Sequence, residues 1–163
     1  MSGQHEVIGF LSRADSYGCP GGTVERIETH GSLIFLCGER VYKLKREIAY
    51  ASLDFLTLEK RERACHAELR LNRRTAPSVY LGIAPVLRRP DGSLALGGIE
   101  ASVSDSGGVP ADWVVVMARL DQDSLFDRMA DRGALTAGLM RDLAESIASF
   151  HAGAEVVTDR GGA

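Results

Sequence analysis

Two lysines, Lys43 and Lys45, alternate through the otherwise apolar run Val41-Tyr42-Lys43-Leu44-Lys45, and Glu68 follows on a downstream helical segment. Side chains alternate along a strand, so Val41, Lys43 and Lys45 share one face while Tyr42 and Leu44 share the other. Lysines on a covered strand face are rare unless they are paired. A carboxylate that reaches them fixes the ammonium in position, and the attraction becomes large once water is excluded. Solvent exposure would account for either lysine alone, whereas an ammonium held by a carboxylate can neutralise an anion such as a nucleotide's phosphate chain. Glu68 lies three residues after Cys65 and four before Asn72, at the edge of an apolar helical stripe.

Other arrangements of reactive residues point to less. Arg70, Arg73 and Arg74 offer positive charge, but a basic, solvated helix end beside C-terminal carbonyls accounts for them. Nucleic-acid binding would need more basic residues and aromatic platforms than are present, so no nucleic-acid partner is expected. His30, His66 and His151 have no ligand-like spacing and no CxxC pair occurs, so no metal site is expected. No nucleophile elbow, P-loop or dinucleotide fingerprint appears.

Composition sets the frame for these residues. The 163-residue chain is 45% hydrophobic and 25% charged, enough apolar material for a core, and its net charge of -3 gives no global field to attract nucleic acid or acidic membranes. Three cysteines, odd in number and far apart, read as buried free thiols in a reducing compartment. The N-terminus lacks a signal-peptide layout and no apolar run is long enough to span a bilayer, so a cytoplasmic protein with no membrane partner is expected.

The elements that must position the lysines follow from pattern. A short helix within residues 1–22 is expected to pack on the outside, and residues 24–29 form a weak edge strand. Strands over 33–37 and 41–45 are joined by a Gly38-containing hairpin. Residues 46–56 are irregular. Thr57 caps a helix running to about Arg74, closed off by Pro77. Strands follow at 80–87 and 93–97, then a polar loop at 102–110. The apolar run Trp113-Val114-Val115-Val116-Met117 reads as a central strand buried on both faces. Ser124 opens a capping-box-like helix that Gly133 ends, and a last helix from Thr136 to about His151 buries Met140, Leu143, Ile147 and Phe150. The layout is α+β: about five antiparallel strands with one long helix after the third, then two helices.

In order and spacing, Glu28-Thr29-His30, Phe35-Leu36, Val41 to Lys45, Leu53-Asp54-Phe55, Leu58-Glu59-Lys60-Arg61 and Glu68-Leu69-Arg70-Leu71-Asn72-Arg73-Arg74 resemble one family. It is the aminoglycoside-phosphotransferase-like, protein-kinase-like domain that opens a group of bacterial two-part proteins whose second part is a P-loop ATPase. Tyr80-Leu81-Gly82, Leu143-Ala144 and Phe150-His151-Ala152 match as well, so the resemblance covers roughly residues 23–155. It implies a kinase-like N-terminal lobe at 1–117, followed at 118–163 by a linker and the first helices of an incomplete C-terminal lobe. It further implies ATP as ligand, with Lys43 on the phosphates, Lys45 as the alternative because it shares the face, and Glu68 holding Lys43. Met117, Ala118, Arg119 and Leu120 would border the adenine, and Ser32 would lie at a phosphate-covering turn. The family's catalytic loop and metal-binding aspartate would follow Phe150-His151, where this chain stops. No catalytic or metal-binding residue is therefore assigned, and magnesium enters only if a complete C-terminal lobe is supplied.

Two readings follow. One is an incomplete ATP-dependent phosphotransferase whose missing lobe, or a P-loop ATPase domain, belongs to a longer product or a second chain. The other is a non-catalytic nucleotide-binding remnant or adaptor that acts through protein contacts, self-association included.

Overall fold

The computed structural model describes residues 3–101, 103 and 107–156. They fall into two compact units, Met1–Arg119 and Leu120–Ala163.

The first unit is a mixed α/β structure. Its elements are helix α1 (Gly3–Leu11), strands β1 (Glu25–Glu28), β2 (Ser32–Cys37) and β3 (Arg40–Lys45), a two-stranded hairpin of β4 (Ala49–Tyr50) and β5 (Leu53–Asp54), helix α2 (Leu58–Asn72), and strands β6 (Tyr80–Arg88), β7 (Leu94–Leu96) and β8 (Val109–Ala118). Six strands form one antiparallel sheet in the order β1-β2-β3-β8-β6-β7. The expected count of about five is thus one short, and residues 46–56 are not wholly irregular, since β4 and β5 pair within them.

The last strand in sequence lies at the centre of the sheet, between β3 and β6. Its continuous apolar run is explained by its two covered faces. Val114 and Val116 pack with Val7, Leu11, Phe35, Tyr42 and Leu44, while Trp113 and Val115 pack with Cys65, Leu69 and Ile83. β8 also begins earlier than expected, at Val109, inside the segment read as a loop; residues 102 and 104–106 of that segment lie outside the described residues.

Helix α1 corrects the sequence reading. It was expected on the outside, yet Val7 and Leu11 are fully buried in the core on one face of the sheet. The spacing of four puts both on one side of the helix, and Ile8 and Phe10 pack at its flanks. Helix α2 forms as the Thr57 cap predicts, with Thr57 Oγ1 accepting from the Lys60 N–H at 3.3 Å. At the β2–β3 loop, Gly38 adopts φ +57°, the first central position of a two-residue hairpin where a primed turn takes glycine.

The second unit contains a 3-10 turn at Gln122–Ser124 and helices α3 (Phe126–Asp131) and α4 (Ala137–Ala152). Thr136 Oγ1 accepts from the Leu139 N–H at 3.2 Å, so the predicted cap of the last helix forms. The capping box at Ser124 does not. Ser124 Oγ donates to the Asp121 carbonyl at 2.6 Å, and Leu125 stands at the N-cap without a side-chain hydrogen bond. Nor does α4 bury the predicted stripe: none of its residues is buried, and Met140 and Ile147 are exposed. Two helices of this size offer one another no second layer against which a core can close. No helix among the described residues is long and apolar enough to cross a membrane.

Candidate functional site

Alternation along β3 turns Lys43 and Lys45 to the face that α2 covers. Along α2, Arg61, Cys65, Glu68 and Asn72 recur at intervals of four, three and four, which keeps them on one side of the helix. The two patterns meet at Glu68. Lys43 Nζ donates to Glu68 Oε1 at 2.8 Å, and Lys45 Nζ donates to Glu68 Oε2. A single carboxylate therefore holds both lysines, one on each oxygen. Lys45 also places its ammonium 5.5 Å from the centre of the Phe55 ring, a cation–π contact.

Two ammoniums against one carboxylate leave the cluster with a formal surplus of one positive charge. The surplus is not evenly presented. The Lys43 side chain is 25% exposed, against 9% for Lys45 and 11% for Glu68. Lys43 is thus the lysine that a ligand in solvent can reach, and Lys45 is enclosed. Burial works against the charged form of Glu68, but hydrogen bonds from Lys43 and Lys45 outweigh it and hold the carboxyl below the usual glutamate range. Tyr80, at the start of β6, borders the same cluster. Burial, with the Glu68 carboxylate nearby, pushes its phenol up. Sequence pattern did not single out this tyrosine.

None of the other predicted residues forms a hydrogen bond or ion pair with the Glu68 carboxylate. Ser32 is the first residue of β2, pairs with Lys45 across the sheet and is 4% exposed. Its backbone N–H already donates to Thr29 Oγ1 at 3.1 Å, and its carbonyl accepts from the Thr29 hydroxyl at 3.0 Å. Met117 and Ala118 end β8, and Met117 packs at the edge of the α2-side core. Arg119 is tied down by Glu25 Oε2 at 3.3 Å and by its own N–H, which donates to the Glu39 carbonyl at 2.9 Å. Leu120 is exposed and opens the second unit. A groove of about 550 Å³ runs along α2 past Arg63, His66 and Arg70. It does not include the Lys43–Glu68 pair.

A buried polar network supports the site, and the sequence reading missed it. Arg61 Nε donates to Asp112 Oδ1 at 2.9 Å, and Gln4 Nε2 donates to Asp112 Oδ2 at 2.8 Å. Gln4 Nε2 also donates to the Lys45 carbonyl at 2.8 Å, while its Oε1 accepts from the Glu47 N–H at 2.6 Å. Arg61 completes its fork on the Phe55 and Leu56 carbonyls. The network ties α1, the end of β3, α2 and β8 together around one carboxylate. One signal was available: Arg61 occupies a stripe position of α2, between Leu58 and Cys65, where an apolar residue would be expected.

Arg73 is likewise structural rather than a solvated helix end. Its guanidinium donates to the Tyr80 carbonyl at 2.9 Å, to the Leu81 carbonyl and to Glu100 Oε1 at 2.9 Å, clamping the end of α2 to β6.

No family model matches the chain, and no solved structure matches it. Over 124 residues, 76% of its length, the chain is 36% identical to proteins of Mycobacterium bovis and of two Mycobacterium tuberculosis strains, each described as uncharacterized. The chain spans 22% of the length of these relatives.

Proposed function

We propose that this chain is the nucleotide-binding half of an ATP-dependent phosphotransferase of the aminoglycoside-kinase-like class. Residues 1–117 would be its kinase-like N-terminal lobe, and the helices after residue 118 would open its second lobe. The observation that carries the reading is the cluster in which Glu68 holds Lys43 and Lys45 with one positive charge in surplus. In the proposed role Lys43 neutralises the α- and β-phosphate oxygens of ATP. Glu68 fixes its ammonium, so the contact needs no reorganisation when the nucleotide arrives. Lys45, turned inward against Phe55, keeps Glu68 ionised and in place. Met117, on the same side of β8 as the cluster, is the residue we assign to the adenine border. A phosphoryl acceptor, a base and magnesium ligands would come from chain beyond the described residues. The relatives leave room for them, since the matched stretch is about a fifth of their length.

The test is thermal unfolding with and without magnesium-ATP. A ligand present at about 100 times its Kd stabilises the folded state by about 2.7 kcal/mol, a shift of several degrees in Tm. We expect that rise in the wild type and its loss in Lys43→Ala. No rise in the wild type sinks the nucleotide site, and equal rises in both proteins move the phosphate contact to Lys45.

A second reading, a non-catalytic nucleotide-binding adaptor, draws on the exposed apolar residues of α4, Met140 and Ile147. It differs in what a longer product would do. Phosphoryl transfer by the longer protein supports the enzyme. ATP binding without turnover, accompanied by self-association or capture of a defined partner, supports the adaptor.

A further inference from the structure

Helix α2 carries a second face that the Lys43–Glu68 cluster does not use. Arg63, His66, Arg70 and Arg73 recur at intervals of three, four and three, which sets them along one side of the helix. They line the groove of about 550 Å³. Arg73 is committed to the Tyr80 and Leu81 carbonyls and to Glu100. Arg63 and Arg70 are exposed, and neither makes a side-chain hydrogen bond or ion pair among the described residues. Glu59, one turn before Arg63, acts on it through charge alone. The groove adjoins a cavity of about 410 Å³, with His66 and Leu69 lining both spaces. Apart from His66 and Glu100 the cavity is apolar, lined by Leu69, Ile83, Ala101, Val103 and Trp113, and volumes of this order hold small organic ligands.

Trp113 is 8% exposed, its ring stands 6.5 Å from that of His66, and its indole N–H meets no acceptor among the described residues. A buried donor without a partner is uncommon. At the rim, Glu100 adopts a left-handed backbone conformation, φ +56°, which residues other than glycine seldom take. Its N–H donates to the Ile83 carbonyl at 2.7 Å and its carboxylate accepts from Arg73, so the rim is held and the Glu100 charge is matched. What remains on this face is the positive charge of Arg63 and Arg70 beside an apolar hollow.

We propose that this face binds a small organic acid, its apolar body in the cavity against Ile83, Val103 and Trp113 and its anionic head on Arg63 and Arg70. Guanidinium groups suit the head, because their paired N–H donors match a carboxylate and stay charged. Burial of the body supplies the driving force, and the head fixes the orientation. A wholly apolar guest would leave both arginines unused, and a strongly hydrophilic anion would gain nothing from the cavity. The site is separate from the nucleotide cluster. Glu68 meets Lys43 and Lys45 on β3, while Leu69, the next residue of α2, packs with Ile83 of β6 and Trp113 of β8. The two ligands therefore share no residue.

The experiment titrates the whole nitrogen-15-labelled chain with 4-phenylbutyrate, a ring and an anionic head on a flexible linker, and follows the indole N–H signal of Trp113 by NMR. The chain has one tryptophan, so that signal identifies itself. We expect a saturable shift with a Kd of about 1 mM, ordinary for so small a ligand. Arg63→Gln combined with Arg70→Gln, both surface changes, should weaken binding about tenfold, the loss on removing a charge-assisted hydrogen bond. Uncharged 4-phenylbutanol should bind the wild type more weakly by a similar factor. Ala101→Phe, which fills the cavity from an exposed position, should abolish the shift. Absence of saturation, equal binding of the acid and the alcohol, or binding unchanged in either variant would overturn the proposal. A Trp113 signal that moves with protein concentration in the absence of ligand would give the face to a second copy of the chain and overturn it as well.

Discussion

Arg61 and Asp112 form an ion pair at 2.9 Å between side chains that are 7% and 0% exposed. The pair does more than fill the core. Arg61 and Glu68 lie two turns apart on the same side of α2, so anchoring the first to β8 presents the second to β3. The register also places Lys43 opposite Val115, three residues beyond Asp112 on β8. One strand therefore carries both the anchor of the helix and the neighbour of the lysine that the helix must hold.

Breaking that anchor should be costly. Removing one member of a buried pair strands the other charge, at about 3–5 kcal/mol, whereas replacing both with apolar residues is often near neutral. We expect Asp112→Ala and Arg61→Ala each to fall in that range by urea unfolding, and Arg61→Met combined with Asp112→Leu to lose much less than their sum. Simple addition of the single losses would mean that the two side chains are not coupled.

The two lysines should separate by role. Glu68→Ala leaves the enclosed Lys45 ammonium without its carboxylate and should cost about 3–5 kcal/mol. Lys45→Met should cost clearly less, because Glu68 keeps Lys43. Thermal shifts with magnesium-ATP should survive, though weakened, in Lys45→Met and vanish in Lys43→Met. The reverse order would assign the phosphate contact to Lys45.

Acid should weaken the fold through Glu68. Its carboxyl is held below the ordinary value in the folded protein, so the unfolded chain binds the proton first as pH falls. The stabilisation is whole above about pH 4.3 and is lost on descending from there through the folded pKa. Denaturant titrations at stepped pH should show a steeper acid loss for the wild type than for Glu68→Gln, which has no proton to take up at that position. Parallel curves would remove Glu68 from the acid response.

Gly82 should tolerate no side chain. A Cβ there would stand 2.3 Å from Ile99 Cγ2 and 3.1 Å from Glu100 Cγ. Overpacking of this kind costs about 1–3 kcal/mol, and we expect Gly82→Ala to lose that much in urea unfolding. Adding Ile99→Ala to make room should recover part of the loss. A neutral Gly82→Ala would mean that the segment around Ile99 yields freely.

Much of this fold was legible in residue order. The period-two alternation of β3, the apolar run at the centre of β8 and the caps Thr57 and Thr136 are local signals; β3, α2 and α4 formed near their expected limits, while β8 begins at Val109, before its apolar run. Burial was less legible. Helix α1 carries only two fully buried side chains, and nothing nearby in sequence says that a sheet face built from residues tens of positions away will cover them. The stripe on α4 shows the converse, a clear apolar period of which no residue is buried.

For the site, sequence determined which groups were available: two lysines on one strand face and a glutamate on the edge of a helical stripe, both consequences of repeat periods that every strand and helix obeys. Tertiary structure decided how they were used. A single carboxylate divides its oxygens between Lys43 and Lys45 because the α2 register, set by Arg61 on Asp112 with Gln4 closing the other side, brings Glu68 down between them. That register comes from contacts spanning 51 and 108 positions of chain. No local pattern encodes them, because the charges find one another only after the apolar faces have packed.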